Sequence, residues 1–309
     1  MVYSMKLSGI SPLINVSSIL LSSRLLSYQE YILFPDIMPE LPEVETVMSL
    51  VSKRVLNKKI IKTKVLNPKL RWPIDTKKMR DLEGLFIKNV FRRGKYIIIE
   101  FNRKKLTLII HLGMTGIISF SDSKSYQKKK HDHLIIYFKD YILIFNDVRK
   151  FGSIHLSNEL DDMFLIKNLG LEPLSNMFDS EYLFNVSRKR LCTIKELIMN
   201  QKIIVGVGNI YATEALFLSK INPSMKANGL SLIKAKKLVT SIKSVLSESI
   251  QMGGTTIKDY VDAEGKPGYF VQKLLIYQKE YCPIHAKHKL SNIKISGRSS
   301  FFCSKCQVE

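Results

Sequence analysis

The sequence predicts an α+β fold: a β-sandwich with a leading helix, then a helical domain, then a short hairpin closed by cysteines. Three observations predict it. Apolar residues recur at helical spacing just after Pro42, β-branched runs alternate through 95–145, and helical spacing returns after about Gly152. Three of the four cysteines, Cys282, Cys303 and Cys306, crowd near the C-terminus.

The leading helix places Val44, Val47, Met48, Val51 and Val55 on one face, with Glu43 and Glu45 favouring its positive N-terminus. Strands are expected over 95–101, 106–112, 133–138 and 141–145, with 138–141 as a hairpin turn. Helices are expected over 181–200, 209–220 and 231–252, the last stopped by Gly253-Gly254. The final stretch, about 270–309, reads as a hairpin. The lysine run 128–130 reads as a solvated loop.

Charge narrows the function. Lys and Arg outnumber Asp and Glu by 48 to 27 in 309 residues, a net charge of +21. Such an excess steers a protein toward a polyanion, nucleic acid by preference, with an anionic membrane surface as the alternative. No stretch reaches the roughly 20 apolar residues of a membrane span. Cys192 stands alone and reads as a small core residue, whereas the C-terminal cluster suggests a metal site in a reducing, cytoplasmic setting. Residues 1–38 carry only Lys6, Arg24, Glu30 and Asp36 as charges, two of each sign. They make a poor signal or transit peptide and are expected not to belong to the working protein.

Several motifs carry chemistry. Met38-Pro-Glu-Leu-Pro-Glu-Val-Glu-Thr46 reads as a turn into a helix, which accounts for Pro42 near the first helical position but not for Pro39. Phe91-Arg-Arg-Gly-Lys-Tyr96 is a basic turn before a strand. His111-Leu-Gly-Met114 and Asn146-Asp-Val-Arg-Lys-Phe-Gly152 fall near strand ends. Val205-Gly-Val-Gly-Asn-Ile-Tyr211 links two helices, with Asn209 as expected N-cap of an anion-binding helix start. Ala263-Glu-Gly-Lys-Pro-Gly-Tyr-Phe270 reads as a flexible loop. Cys282-x2-His285-x17-Cys303-x2-Cys306 has the two-knuckle spacing of tetrahedral zinc.

Taken in order over 38–309, these motifs resemble the bacterial formamidopyrimidine-DNA glycosylases. The resemblance implies a catalytic β-sandwich domain over 39–168, a helix–two-turn–helix DNA-binding domain over 169–269 and a zinc-finger hairpin over 270–309. It implies a glycosylase and abasic-site lyase that removes 8-oxoguanine and formamidopyrimidines through a Schiff base at an N-terminal proline, ending in β,δ-elimination. The partner is double-stranded DNA with oxidised bases or abasic sites; no membrane partner is expected, and the protein is expected to be a monomer.

Carried over by residue, Pro39 is the nucleophile, Glu40 protonates the opening deoxyribose, and Glu43 and Glu214 match further site residues. Lys95 contacts phosphate beside the site. Met114 fills the gap left by the everted base, Arg149 pairs with the orphaned cytosine and Phe151 wedges between bases. Asn209 and the fingertip Arg298 contact phosphate, the 263–270 loop closes over the flipped base, and His131-Asp-His133 is structural. Cys282, His285, Cys303 and Cys306 hold one structural zinc ion, with His285 standing where the family ordinarily has cysteine and His288 as a substitute ligand. Lys150 and Val148 replace an arginine and a proline common in the family.

The chemistry suits the assignment. A free α-amine has a pKa of about 8, against about 10.4 for lysine, so much more of it is neutral and nucleophilic at physiological pH. Inside the chain, however, the Pro39 nitrogen is an amide and inert. The expectation is therefore that translation begins at Met38 or that the leader is removed. If 1–38 is retained, the alternative is a non-catalytic DNA-binding protein; a sister class acting on oxidised pyrimidines is the other.

Overall fold

The computed structural model describes residues 38–254 and 273–308. Residues 1–37 and the predicted 263–270 loop lie outside them. The body that holds the site begins at Met38.

Helix α1 spans Leu41–Val55 and buries the predicted Val44, Val47, Val51 and Val55 together with Leu41, while the predicted Met48 is partly buried against the same core. Strand β1, Lys62–Val65, and the single-turn helix α2, Thr76–Met79, follow. The sandwich is completed by β2 (Ile87–Arg93), β3 (Tyr96–Phe101), β4 (Thr107–His111), β5 (Gly116–Asp122), β6 (Asp132–Tyr137), β7 (Tyr141–Asp147) and β8 (Ser153–Ser157). One sheet runs β1-β6-β7-β5 and the other β2-β3-β4-β8, with every pairing antiparallel. Alternation does the packing: Ile97, Ile99, Leu108 and Ile110 face Leu134, Ile136, Leu143 and Phe145 in one core that α1 also covers. The opposite face of β3 and β4, Ile98 and Ile109, is covered by Ile166 and its neighbours.

The return to helical spacing comes later than predicted, because β8 occupies 153–157 and pairs with β4. The predicted 181–200 helix is two helices, α3 (Ser180–Ser187) and α4 (Ile194–Met199). The break has a local cause: Thr193 caps α4, its Oγ1 accepting from Glu196 N, and Ile194 N donates to Met225 O instead of continuing α3. Helix α5 spans Asn209–Leu218, and α6 spans Leu232–Gln251, closing at Gly253 and Gly254, which both have positive φ. The chain ends in the hairpin of β9 (Ser291–Ile295) and β10 (Arg298–Phe302). Among the described residues no helix is long and apolar enough to cross a membrane.

Candidate active site and nucleic-acid interface

Pro39 precedes a tightly held acidic pair at the start of α1. The Glu40 amide donates to Glu43 Oε2 (2.9 Å), and Glu43 Oε1 accepts from the Tyr211 hydroxyl (2.5 Å), which also meets Ser249 Oγ (2.6 Å). The Glu40 carboxylate crosses to the helical half and accepts from the backbone N–H groups of Gly208 (2.9 Å), Ile210 (3.0 Å) and Tyr211 (3.4 Å). The N-terminus of α5 is thus capped by a side chain 168 residues away. The prediction of Asn209 as N-cap is corrected: Gly208 holds that position and Asn209 is the first helical residue.

The glycines of the 205–211 link now have reasons. A Cβ on Gly208 would lie 2.3 Å from Glu40 Cδ, and one on Gly206, whose φ is +85°, would lie 2.6 Å from Leu41 Cδ1. Only glycine lets this backbone approach α1 so closely. Only 3% of Glu40 is exposed, and burial pushes its carboxyl above the ordinary carboxylate range; Lys95 opposes the shift and Glu43 adds to it. Burial conversely pushes the Lys95 ammonium down, against the pull of Glu40 and Glu43, with Arg298 adding to the lowering. The result is a desolvated acid beside a desolvated cation.

The turn presenting Lys95 is built from both halves of the body. Arg92 donates to Glu45 Oε2 (2.6 Å) and Glu172 Oε2 (2.8 Å), Arg93 donates to Glu172 Oε1 (3.1 Å), and Gly94 N donates to the same oxygen (2.7 Å). At the neighbouring strand end, His111 Nδ1 accepts from Gly113 N (3.0 Å), which leaves the proton of the neutral ring on Nε2. Burial, then Lys95, Arg71 and His155, push His111 down to about 4, so it stays a neutral donor at physiological pH.

Met114 and the 147–152 loop are fastened together by one buried carboxylate. Asp147 accepts from Thr115 Oγ1 (2.5 Å) and Gly152 N (2.7 Å), and Thr115 Oγ1 accepts from Arg149 N (3.0 Å). Gly113, at φ +63°, allows the contact, since a Cβ there would lie 2.4 Å from Gly152 N. The Arg149 guanidinium sits 5.1 Å from the centroid of Phe151, whose ring is 46% exposed. Met114, between Gly113 and Thr115, therefore lies on the segment fastened to the loop that carries Arg149 and Phe151. His133 spans Asn67 O and Asp147 O (3.0 Å each), the structural part expected of it.

Cys282, His285, Cys303 and Cys306 converge, with all four ligand atoms within 4.8 Å of one another. His285 Nδ1 lies 3.2 Å from Cys306 Sγ, 3.8 Å from Cys282 Sγ and 3.9 Å from Cys303 Sγ, and the Cys282 and Cys306 sulfurs are 3.7 Å apart. A tetrahedral zinc with bonds of about 2.3 Å to sulfur and about 2.0 Å to nitrogen needs edges of about 3.3–3.8 Å, so the donors fit. His288 is engaged elsewhere, with Nε2 3.1 Å from Ser304 Oγ, and the cluster does not include it.

The family comparisons agree with this geometry. The formamidopyrimidine-DNA glycosylase N-terminal domain matches residues 38–154, and the H2TH domain of the same proteins matches 169–261. This chain belongs to the formamidopyrimidine-DNA glycosylase family. The glycosylase of Hydrogenovibrio crunogenus is 42% identical over 275 residues, covering 88% of this chain and 97% of the relative. That of Wolbachia pipientis is 42% identical over 273 residues, covering 87% of this chain and the whole relative. Among solved structures, a mutant Lactococcus lactis Fpg bound to THF-containing DNA superposes with a TM-score of 0.80 at 35% identity, covering 88% of this chain and all of that one. Another mutant of that enzyme, bound to Fapy-dG-containing DNA, gives 0.79.

Within this glycosylase fold, Pro39, Glu40, Glu43 and Lys95 come together, Asn209 adjoins them through Gly208, and the exposed Arg298 acts electrostatically on Lys95. Asn209 Oδ1 is buried without a hydrogen-bond partner among the described residues. Glu214 lies apart: its carboxylate accepts from the N–H groups of Leu275 (2.8 Å), Ile276 (3.0 Å) and Tyr277 (2.8 Å), tying the start of the finger to α5. Sequence reasoning gave no role to His111, Asp147, Lys195 or Tyr211. Lys195 is the most surprising, fully buried with Nζ donating to Ser299 O (3.1 Å) and Ser300 Oγ (2.7 Å). Its only signal was a lysine at an apolar-face position of a short helix.

Proposed function

We propose that this chain, with its α-amine free at Pro39, excises oxidised purines from duplex DNA and cleaves the strand at the resulting abasic site. The observation that carries the reading is the Glu40 carboxyl, buried beside Pro39 with a raised pKa, held on three α5 amides and facing Lys95. A carboxyl whose burial favours the protonated form, next to a secondary amine, suits acid-assisted nucleophilic substitution.

In the proposed sequence the Pro39 nitrogen attacks C1′, and the damaged base leaves with the glycosidic electron pair. Glu40 donates its proton to O4′ as the ring opens, giving an iminium between Pro39 and C1′. A C2′ proton then passes to solvent, its C–H electron pair flows into the iminium to give an enamine, and that enamine expels the 3′ phosphate; a second elimination expels the 5′ phosphate. In this reading Lys95, neutral-ring His111 and Asn209 hold the backbone of the everted nucleotide, and Arg298 holds it from the finger. Met114, Arg149 and Phe151 enter the helix; such intercalation costs a few kcal/mol of unstacking that the bent complex recovers in contacts. Cys282, His285, Cys303 and Cys306 would hold a zinc ion, whose contribution is to cross-link the finger that carries Arg298.

Borohydride trapping on a duplex with 8-oxoguanine opposite cytosine tests the reading. Protein beginning at Pro39 should form a covalent adduct, and protein whose intact mass retains residues 1–38 should not. An adduct formed with the leader intact would refute Pro39 as nucleophile. DNA binding with no adduct from either form would favour the non-catalytic reading.

A further inference from the structure

The tip of the finger hairpin is held by the first turn of α4. The hairpin closes in a two-residue turn, Ser296-Gly297, both at positive φ, between the paired Ile295 and Arg298. On one side of Arg298, the Ser296 hydroxyl donates to Glu196 Oε1. On the other, Ser299 O and Ser300 Oγ accept from Lys195. Glu196 is itself fixed, because its second oxygen accepts from Thr193 N (2.7 Å) and Thr193 Oγ1 (2.8 Å). Two consecutive residues of one helix thus grip the chain before and after Arg298. The Arg298 side chain is exposed and makes no ion pair among the described residues.

We propose that Glu196, through Ser296, is a positioning residue that holds the fingertip so that Arg298 meets the DNA backbone without first being ordered. The inference rests on Arg298 contacting DNA. A carboxylate near a polyanion should by charge alone weaken binding, so a purely electrostatic role and a positioning role predict opposite signs. An immobile turn spares the ordering cost at the moment of binding, and the carboxylate–hydroxyl bond is what makes the turn immobile.

The test is a set of equilibrium titrations of the zinc-loaded full chain on a duplex carrying a tetrahydrofuran abasic analogue, over a range of salt concentrations. Ser296→Ala and Glu196→Ala should each weaken binding about three- to tenfold, the latter despite removing a negative charge. Both should lower the slope of log Kd against log salt toward that of Arg298→Ala, by about one phosphate contact. Glu196→Gln, which keeps an acceptor for Ser296, should bind as tightly as the parent or tighter. Ser296→Ala should have no further effect when combined with Arg298→Ala. Tighter or unchanged binding by Glu196→Ala, or a full additional loss in the Ser296/Arg298 double variant, would overturn the clasp while leaving Arg298 as a DNA contact. If Arg298→Ala alone changes neither affinity nor slope, the DNA contact itself fails, and the clasp with it. Ser296→Ala leaves the Thr193–Glu196 cap intact, so its result stands even if Glu196→Ala unfolds α4.

Discussion

Glu40 and Glu214 are both buried glutamates whose carboxylates each accept three backbone N–H groups, and burial raises the pKa of both. Their settings differ. Glu40 adjoins Pro39 and feels Lys95 and Glu43, whereas Glu214 faces the start of the finger, beside the apolar cluster of Phe217 and Ile276. A cradle of amides and a raised pKa are therefore not what distinguishes a reagent from a fastener. Proximity to a group that can react is, and of these two only Glu40 adjoins Pro39, the proposed nucleophile.

The largest expected effect that would sharpen this contrast is Glu40→Gln in protein beginning at Pro39. Base release should fall by about 10²- to 10⁴-fold in single-turnover assays, the range of a lost general acid. The pH profile should change as well. As the proposed acid, Glu40 would work in its protonated form, so base release by the parent should decline as pH climbs through its raised pKa; the variant should lose that decline. Retention of both rate and pH limb would move Glu40 into the same class as Glu214.

Gly208→Ala comes next, because the new Cβ would press on the Glu40 carboxyl. It should cost about 1–3 kcal/mol of stability from overpacking, read by urea unfolding, and slow base release by displacing the acid. Unchanged kinetics with the expected loss of stability would show that the acid tolerates displacement. Glu214→Gln should have the smallest effect on chemistry. Turning an N–H group toward a backbone donor costs about 1–3 kcal/mol, while excision per folded molecule should stay within about threefold. Lost excision at unchanged stability would instead place Glu214 among the reagents.

Much of this arrangement was legible in the residues. The α1 stripe, the 138–141 turn, the Gly253-Gly254 stop and the metal-ligand quartet follow from short-range rules of period, turn chemistry and spacing. What escaped were effects decided by distant partners. Asn209 looked like an N-cap because a cap is normally local, yet Glu40 takes that part from the far end of the sequence. The break between α3 and α4 was hidden because Ile194 N turns to Met225 O, a tertiary contact that overrides a continuous helical pattern. Asp147 and Lys195 read as ordinary polar residues, since nothing local marks a charged side chain for burial. Strand β8 was missed where its short apolar run follows directly on the 147–152 loop.

That Glu40 caps α5 also bears on safety. A free secondary amine that attacks sugars is hazardous to the genome if it works on any strand it touches. In the proposed mechanism the acid it needs would be poised only when the helical half has docked on the sandwich, because the Glu40 carboxylate also completes that junction. A misfolded or proteolysed chain with its Pro39 amine free would, in the proposed reading, carry the nucleophile without the assembled partner, so strand breakage would be interlocked with a correctly built molecule.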